Sequence, residues 1–88
     1  MDFDRLLVLL LNENSAYWDG DMWQSFSEEN SDTLWVQYLV SFNGGIRFEI
    51  WNKGVMVDLA WSVEDLYGVL TALIMGNEDG VIVGVVEG

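Results

Sequence analysis

TLWVQYLVSFNGGIRFEIWNKGVMVDLAW, residues 33–61, is the stretch that decides the fold. Leu34, Val36, Tyr38, Val40 and Phe42 recur at every second position, the period of a strand with one face toward a core. A three-residue turn at Asn43-Gly44-Gly45 sets Phe42 opposite Ile46, Val40 opposite Phe48 and Tyr38 opposite Ile50. A two-residue turn at Asn52-Lys53 then sets Ile50 opposite Val55, Phe48 opposite Val57 and Ile46 opposite Leu59. On the reverse face the same register pairs Arg47 with Asp58. A slip of one residue would turn Asp58 toward the core, so the pattern predicts a three-stranded antiparallel meander in this register. Trp35, Leu39, Trp51 and Met56 share the reverse face with Gln37, Arg47 and Glu49. That mixture predicts partial cover by another element or another molecule.

A helical pattern lies on each side of the meander. Phe3, Leu6, Leu7, Leu10 and Leu11 fall at i, i+3, i+4, i+7 and i+8, predicting an amphipathic helix over residues 2–12. Asp2 suits its N-cap, Asp4 its first turn, and Asn12 to Asn14 its end. After the meander, Ser62 opens a second helix with Asp65 as capping-box partner, buries Val63, Leu66, Tyr67, Leu70, Leu73 and Ile74, and stops at Gly76. Met22 to Ser27 reads as a short strand after an Asp19-Gly20-Asp21 turn. Val81 to Val86 reads as a last, β-branched strand. The expected fold is α+β: a small two-layer sandwich, with a mostly antiparallel sheet of three to five strands and two helices packed on one face. One domain is expected over residues 1–88.

Composition narrows the chemistry. The chain has no Cys and no His, which removes disulfides, thiolate nucleophiles, His-based triads and the usual zinc ligands. An enzyme would have to work with carboxylates, hydroxyls or one of three basic side chains. Adjacent acids at Glu28-Glu29 or Glu64-Asp65 do not make a glycosidase pair, which needs two carboxyls facing across a cleft. Asp19-Gly20-Asp21 and Glu78-Asp79 have oxygen donors but lack a cation-loop pattern, and ordinary turn chemistry explains them. No catalytic residue, metal or cofactor is expected. The longest apolar run, Leu6 to Leu11, is far short of the ~20 residues a bilayer demands. With Asp2 and Asp4 leading the chain, a cytoplasmic protein that binds no membrane is expected.

Fifteen Asp and Glu against three Lys and Arg give a formal charge of −12. Such a charge repels nucleic acid and attracts basic protein surfaces. The acids are uneven along the chain. Residues 13–32 interleave Asp19, Asp21, Glu28, Glu29 and Asp32 with Tyr17, Trp18, Trp23 and Phe26, and no base falls between Arg5 and Arg47. The plain alternative is that these acids form a solvated, solubilising surface or reflect a halophilic bias; against the halophilic reading, such a bias would acidify the whole surface, whereas the 33–63 segment is neutral. The expectation is therefore a non-enzymatic protein that occupies a basic, nucleic-acid-binding surface of a partner protein. In its sharpest form this is a DNA-mimicking inhibitor of the phage or mobile-element kind, such as an anti-CRISPR or anti-restriction protein. An immunity protein uses the same charge complementarity. Asp19, Asp21, Glu28, Glu29 and Asp32 would stand in for phosphates, with Trp18 and Trp23 as anchors. Five Trp, four Phe and three Tyr exceed what one small core readily hides. The alternative is accordingly a homodimeric assembly protein that self-associates through Trp35 and Trp51.

Overall fold

The computed structural model describes residues 1–75. Its elements in chain order are helix α1 (Phe3–Glu13), strands β1 (Ser15–Trp18) and β2 (Trp23–Ser25), a single 3₁₀ turn (Glu28–Asn30), strands β3 (Leu34–Val40), β4 (Ile46–Asn52) and β5 (Val55–Ala60), and helix α2 (Val63–Ile74). The strands form one sheet in the order β2-β1-β3-β4-β5, with every pairing antiparallel. Leu6 and Leu10 of α1 and Leu66 and Leu70 of α2 share one buried core with Ala16, Val36, Phe48, Ile50 and Ala60. Both helices thus pack on the same face of the sheet, as the pattern predicts. The expected last strand, Val81 to Val86, and the Gly76 stop lie outside the described residues.

The caps follow local chemistry. Asp2 Oδ1 accepts from the Arg5 amide at 3.1 Å, and Asn14 ends α1 in the left-handed region at φ 70°. Ser62 Oγ accepts from the Asp65 amide at 3.0 Å and opens α2.

Both meander turns sit one residue away from their expected places, and backbone sign decides each. In the first, the Ser41 amide donates to the Gly45 carbonyl at 2.8 Å, so the loop is Phe42-Asn43-Gly44 with Gly44 at φ 88°. A three-residue hairpin needs its left-handed position at the third residue, and Gly44 supplies it. Val40 therefore pairs with Ile46 and Tyr38 with Phe48. Facing is preserved, but Phe42 moves off the sheet to the tip. The second turn is Lys53-Gly54, with φ 54° and 84°, the paired positive values of a type I′ hairpin.

That turn alone would leave Ala60 on the wrong side. A bulge at the Ile50/Trp51 step shifts the register, so Asp58 lies opposite Ile50 and Ala60 opposite Phe48. The expected Arg47–Asp58 pair does not form. Arg47 lies across from Leu39 on β3 and bonds along its own strand to Glu49, Nη2 to Oε2 at 3.2 Å.

The 13–32 segment holds more order than its composition suggests. β1 inserts between β2 and β3, its Ala16 pairing with both Ser25 and Val36. β2 and β3 are therefore parallel with a strand between them, and residues 26–33 cross β1 to join them. They cross on the face without helices, because Phe26 stacks on Trp35 there at 4.0 Å.

Candidate partner-binding site

Register brings the acids of 19–32 together with two more. Trp18 pairs with both Trp23 and Leu34, so the β1–β2 turn and the entry to β3 lie at one end of the sheet. The Lys53-Gly54 turn is at the same end, where Asp32 Oδ1 would lie 3.8 Å from a Cβ on Gly54. α1 begins there too, since Arg5 Nε donates to the Trp23 carbonyl at 2.5 Å. Asp2, Asp4, Asp19, Asp21 and Asp32 share this end and are all exposed. Glu28 and Glu29 continue the acidic surface along the 26–33 crossing.

With Arg5 and Lys53 nearby, those seven carboxylates leave five net negative side-chain charges. The described residues carry twelve carboxylates and three cations, a net of nine. Five of nine on one end and its adjoining strip is a concentrated, polar potential rather than an even one. Asp2 and Asp4 are not among the expected site residues. Their role at the helix start is local, and only the packing of α1 against β2 brings them beside the hairpin.

Asp19 is the organiser of this end. Its Oδ1 accepts from the Met22 amide at 2.7 Å and the Asp21 amide at 2.8 Å, and its Oδ2 accepts from Gln24 Nε2 at 3.1 Å. The Met22 bond, with help from Gln24 and then the Asp21 amide, holds the Asp19 carboxyl below its ordinary 3.8. Gln24 Oε1 in turn accepts from Arg5 Nη2 at 3.4 Å. The turn is thus tied to α1 through a side-chain relay, and its charge is fixed as anionic.

The expected Trp anchors divide. Trp23 is 0% exposed and belongs to the core, so it supports the acidic turn from beneath and has no surface for a partner. Trp18 is half-buried and packs on Trp23 with ring centroids 5.2 Å apart. On the reverse face Trp35 stacks on Trp51 at 5.5 Å, an arrangement set by their cross-strand pairing. Phe26 covers Trp35, so part of the surface expected for self-association is used inside the chain.

Among the described residues no three carboxylates converge closely enough to hold a metal ion, and no helix is long and apolar enough to cross a membrane. No protein-family model, curated protein or solved structure matches the chain.

Proposed function

We propose that this chain is a non-enzymatic acidic binding protein that occupies a basic, nucleic-acid-binding surface on a partner protein. The observation that carries it is the gathering of Asp2, Asp4, Asp19, Asp21 and Asp32 at one sheet end, continued by Glu28 and Glu29. Carboxylates mounted on a fixed hairpin and helix start lose little conformational freedom on meeting Lys and Arg, which favours rapid, charge-guided association. A DNA-mimicking inhibitor and an immunity protein both work in this way, and the contact chemistry is common to them.

Affinity capture from a lysate at about 50 mM and about 200 mM salt tests the reading, because phosphate-like contacts weaken steeply over that range. The wild-type chain should recover a basic nucleic-acid-binding protein at the lower salt and lose it at the higher. The chain should also displace DNA from that protein. A variant with Asp19, Asp21, Glu28, Glu29 and Asp32 changed to Asn or Gln should recover none. Equal capture by that variant, with no salt dependence, would refute the proposal.

A further inference from the structure

The 26–33 crossing covers the reverse face of the sheet at its Trp35 end. The opposite end of that face, beside the β3–β4 hairpin, carries a different surface. Leu39 pairs with Arg47, and the pairing of Ala60 with Phe48 brings Trp61 level with Arg47 on the other side of β4. Leu39, Arg47 and Trp61 thus form one row across three strands. Together with the hairpin residues Ser41, Asn43 and Gly45, this row lines a cavity of about 420 Å³ that opens to solvent. A space of that size takes a small ligand of one or two rings. Trp61 is 60% exposed beside it, an indole surface without cover.

Hydrogen bonding in this cavity is one-sided. The hairpin spends its own acceptors on itself. Asn43 Oδ1 accepts from Ser41 Oγ at 2.5 Å and from the Gly45 amide at 3.2 Å. The Gly45 carbonyl accepts from the Ser41 amide at 2.8 Å, and the Ser41 carbonyl from the Gly44 amide at 3.0 Å. The donors remain. Asn43 is bonded through Oδ1, which leaves its side-chain NH₂ to donate. Arg47 bonds through Nη2 to Glu49 Oε2 at 3.2 Å, and Glu49 Oε1 is held in turn by Trp51 Nε1 at 3.2 Å. Glu49 therefore fixes the guanidinium in place but takes up little of its capacity. Among the described residues Arg47 Nε is buried without a partner, and a charged donor left in that state is costly.

These facts select a ligand chemistry. A cation finds the acceptors of the hairpin already engaged. Phosphate brings roughly two negative charges to a chain of formal charge −12 and to a guanidinium partly neutralised by Glu49. A single carboxylate meets the open donors at the lowest electrostatic cost, and an apolar body meets Trp61 and Leu39. We infer that this cavity binds a small carboxylate with a flat apolar body. Its oxygens accept from the Arg47 guanidinium and the Asn43 amide, and its rings lie against Trp61 and Leu39. The site uses none of the carboxylates at the acidic end, because the Lys53-Gly54 turn closes the opposite end of β4.

Nuclear magnetic resonance titration of the ¹⁵N-labelled full chain tests it, with 2-naphthoate and its uncharged analogue 2-naphthamide as probes. Naphthoate should shift the Trp61 indole N–H and the Asn43 side-chain amide in a saturable way. Naphthamide should bind at least roughly fivefold more weakly, because a charge-assisted bond is exchanged for a neutral one. Inorganic phosphate should leave both signals in place. Arg47→Met keeps the apolar stem and should reduce naphthoate to the affinity of naphthamide. Trp61→Ala changes an exposed position, so it should leave the rest of the spectrum unchanged and weaken both probes alike. Arg47→Lys retains the charge without the planar fork and should fall between wild type and Arg47→Met. Equal affinity for the two probes, or naphthoate binding that survives both Arg47→Met and Trp61→Ala, overturns the inference. Shifts confined to Leu7, Leu11 and Val63 would place the probe between the helices instead and overturn it as well.

Discussion

Arg5 donates from Nε to the main-chain carbonyl of Trp23 at 2.5 Å, fastening the first turn of α1 to the outermost strand of the sheet. A three-residue strand at a sheet edge has few hydrogen bonds of its own, so this cross-element bond carries unusual weight. A hydrogen bond from a charged donor to a part-buried carbonyl contributes about 1.5–3 kcal/mol. Arg5→Met keeps the apolar stem and removes the donor. It should lower stability by about 1–2 kcal/mol, read as a lower urea midpoint with unchanged slope.

The charge on Asp19 makes stability depend on pH in a defined direction. Its folded-state pKa is lowered, so its contribution is fully present above the unfolded value of 3.8 and is lost as pH falls through the folded one. Asp19→Asn should be less stable than wild type at neutral pH. The difference between the two should close once pH drops below the ordinary carboxylate range. Paired urea titrations across the acid range check this, and a gap that is constant with pH would contradict it.

Two glycines should respond in opposite ways to alanine. Gly54 sits at φ 84°, and a Cβ there would meet only ordinary contact with Asp32 Oδ1 at 3.8 Å. Its cost is conformational, and Gly54→Ala should destabilise by about 1–2 kcal/mol. Gly68 lies inside α2, and a Cβ added there would find nothing within 4 Å. Gly68→Ala should stabilise by about 0.5–1 kcal/mol and raise the melting temperature by several degrees.

The reverse-face stack gives a spectroscopic prediction. Phe26, Trp35 and Trp51 form a continuous run of stacked rings. Phe26→Leu keeps apolar cover over Trp35 but removes the ring contact, a loss of about 1 kcal/mol. Near-ultraviolet circular dichroism from the Trp35–Trp51 pair should persist. Amide exchange across residues 27–33 should speed up, because Phe26 pins that crossing to the sheet.

The helices and the meander are legible in the sequence because each obeys a single period. Leu6 and Leu10, or Leu66 and Leu70, recur on one helical face, and Val36, Phe48 and Ile50 on one sheet face. β1 is not legible. Ser15 to Trp18 is only four residues long, and its place between β2 and β3 depends on pairing with residues about twenty positions away. The bulge at Trp51 escapes a local reading for a related reason. Positive φ at Lys53 and Gly54 sets one register, whereas burial of Ala60 requires another, and only the whole sheet resolves the conflict. The acids of residues 19–32 stand out in composition alone. Asp2 and Asp4 join them through the packing of α1, which no local pattern encodes. Trp23 suggests an anchor because it borders an acidic turn, yet its alternation with Gln24 places it inward.

The residues that link β2 to β3 pass over β1 and are held by Phe26, so the β1–β2 hairpin is clamped between that strap and α1. A molecule gripping Asp19 or Asp21 therefore pulls on a part that cannot peel away alone. To drag the acidic tip aside it must lift Trp23 from among Leu6, Ala16 and their neighbours. The resistance met by such a tug is that of the entire interior, and the tip should behave mechanically as a stiff prong.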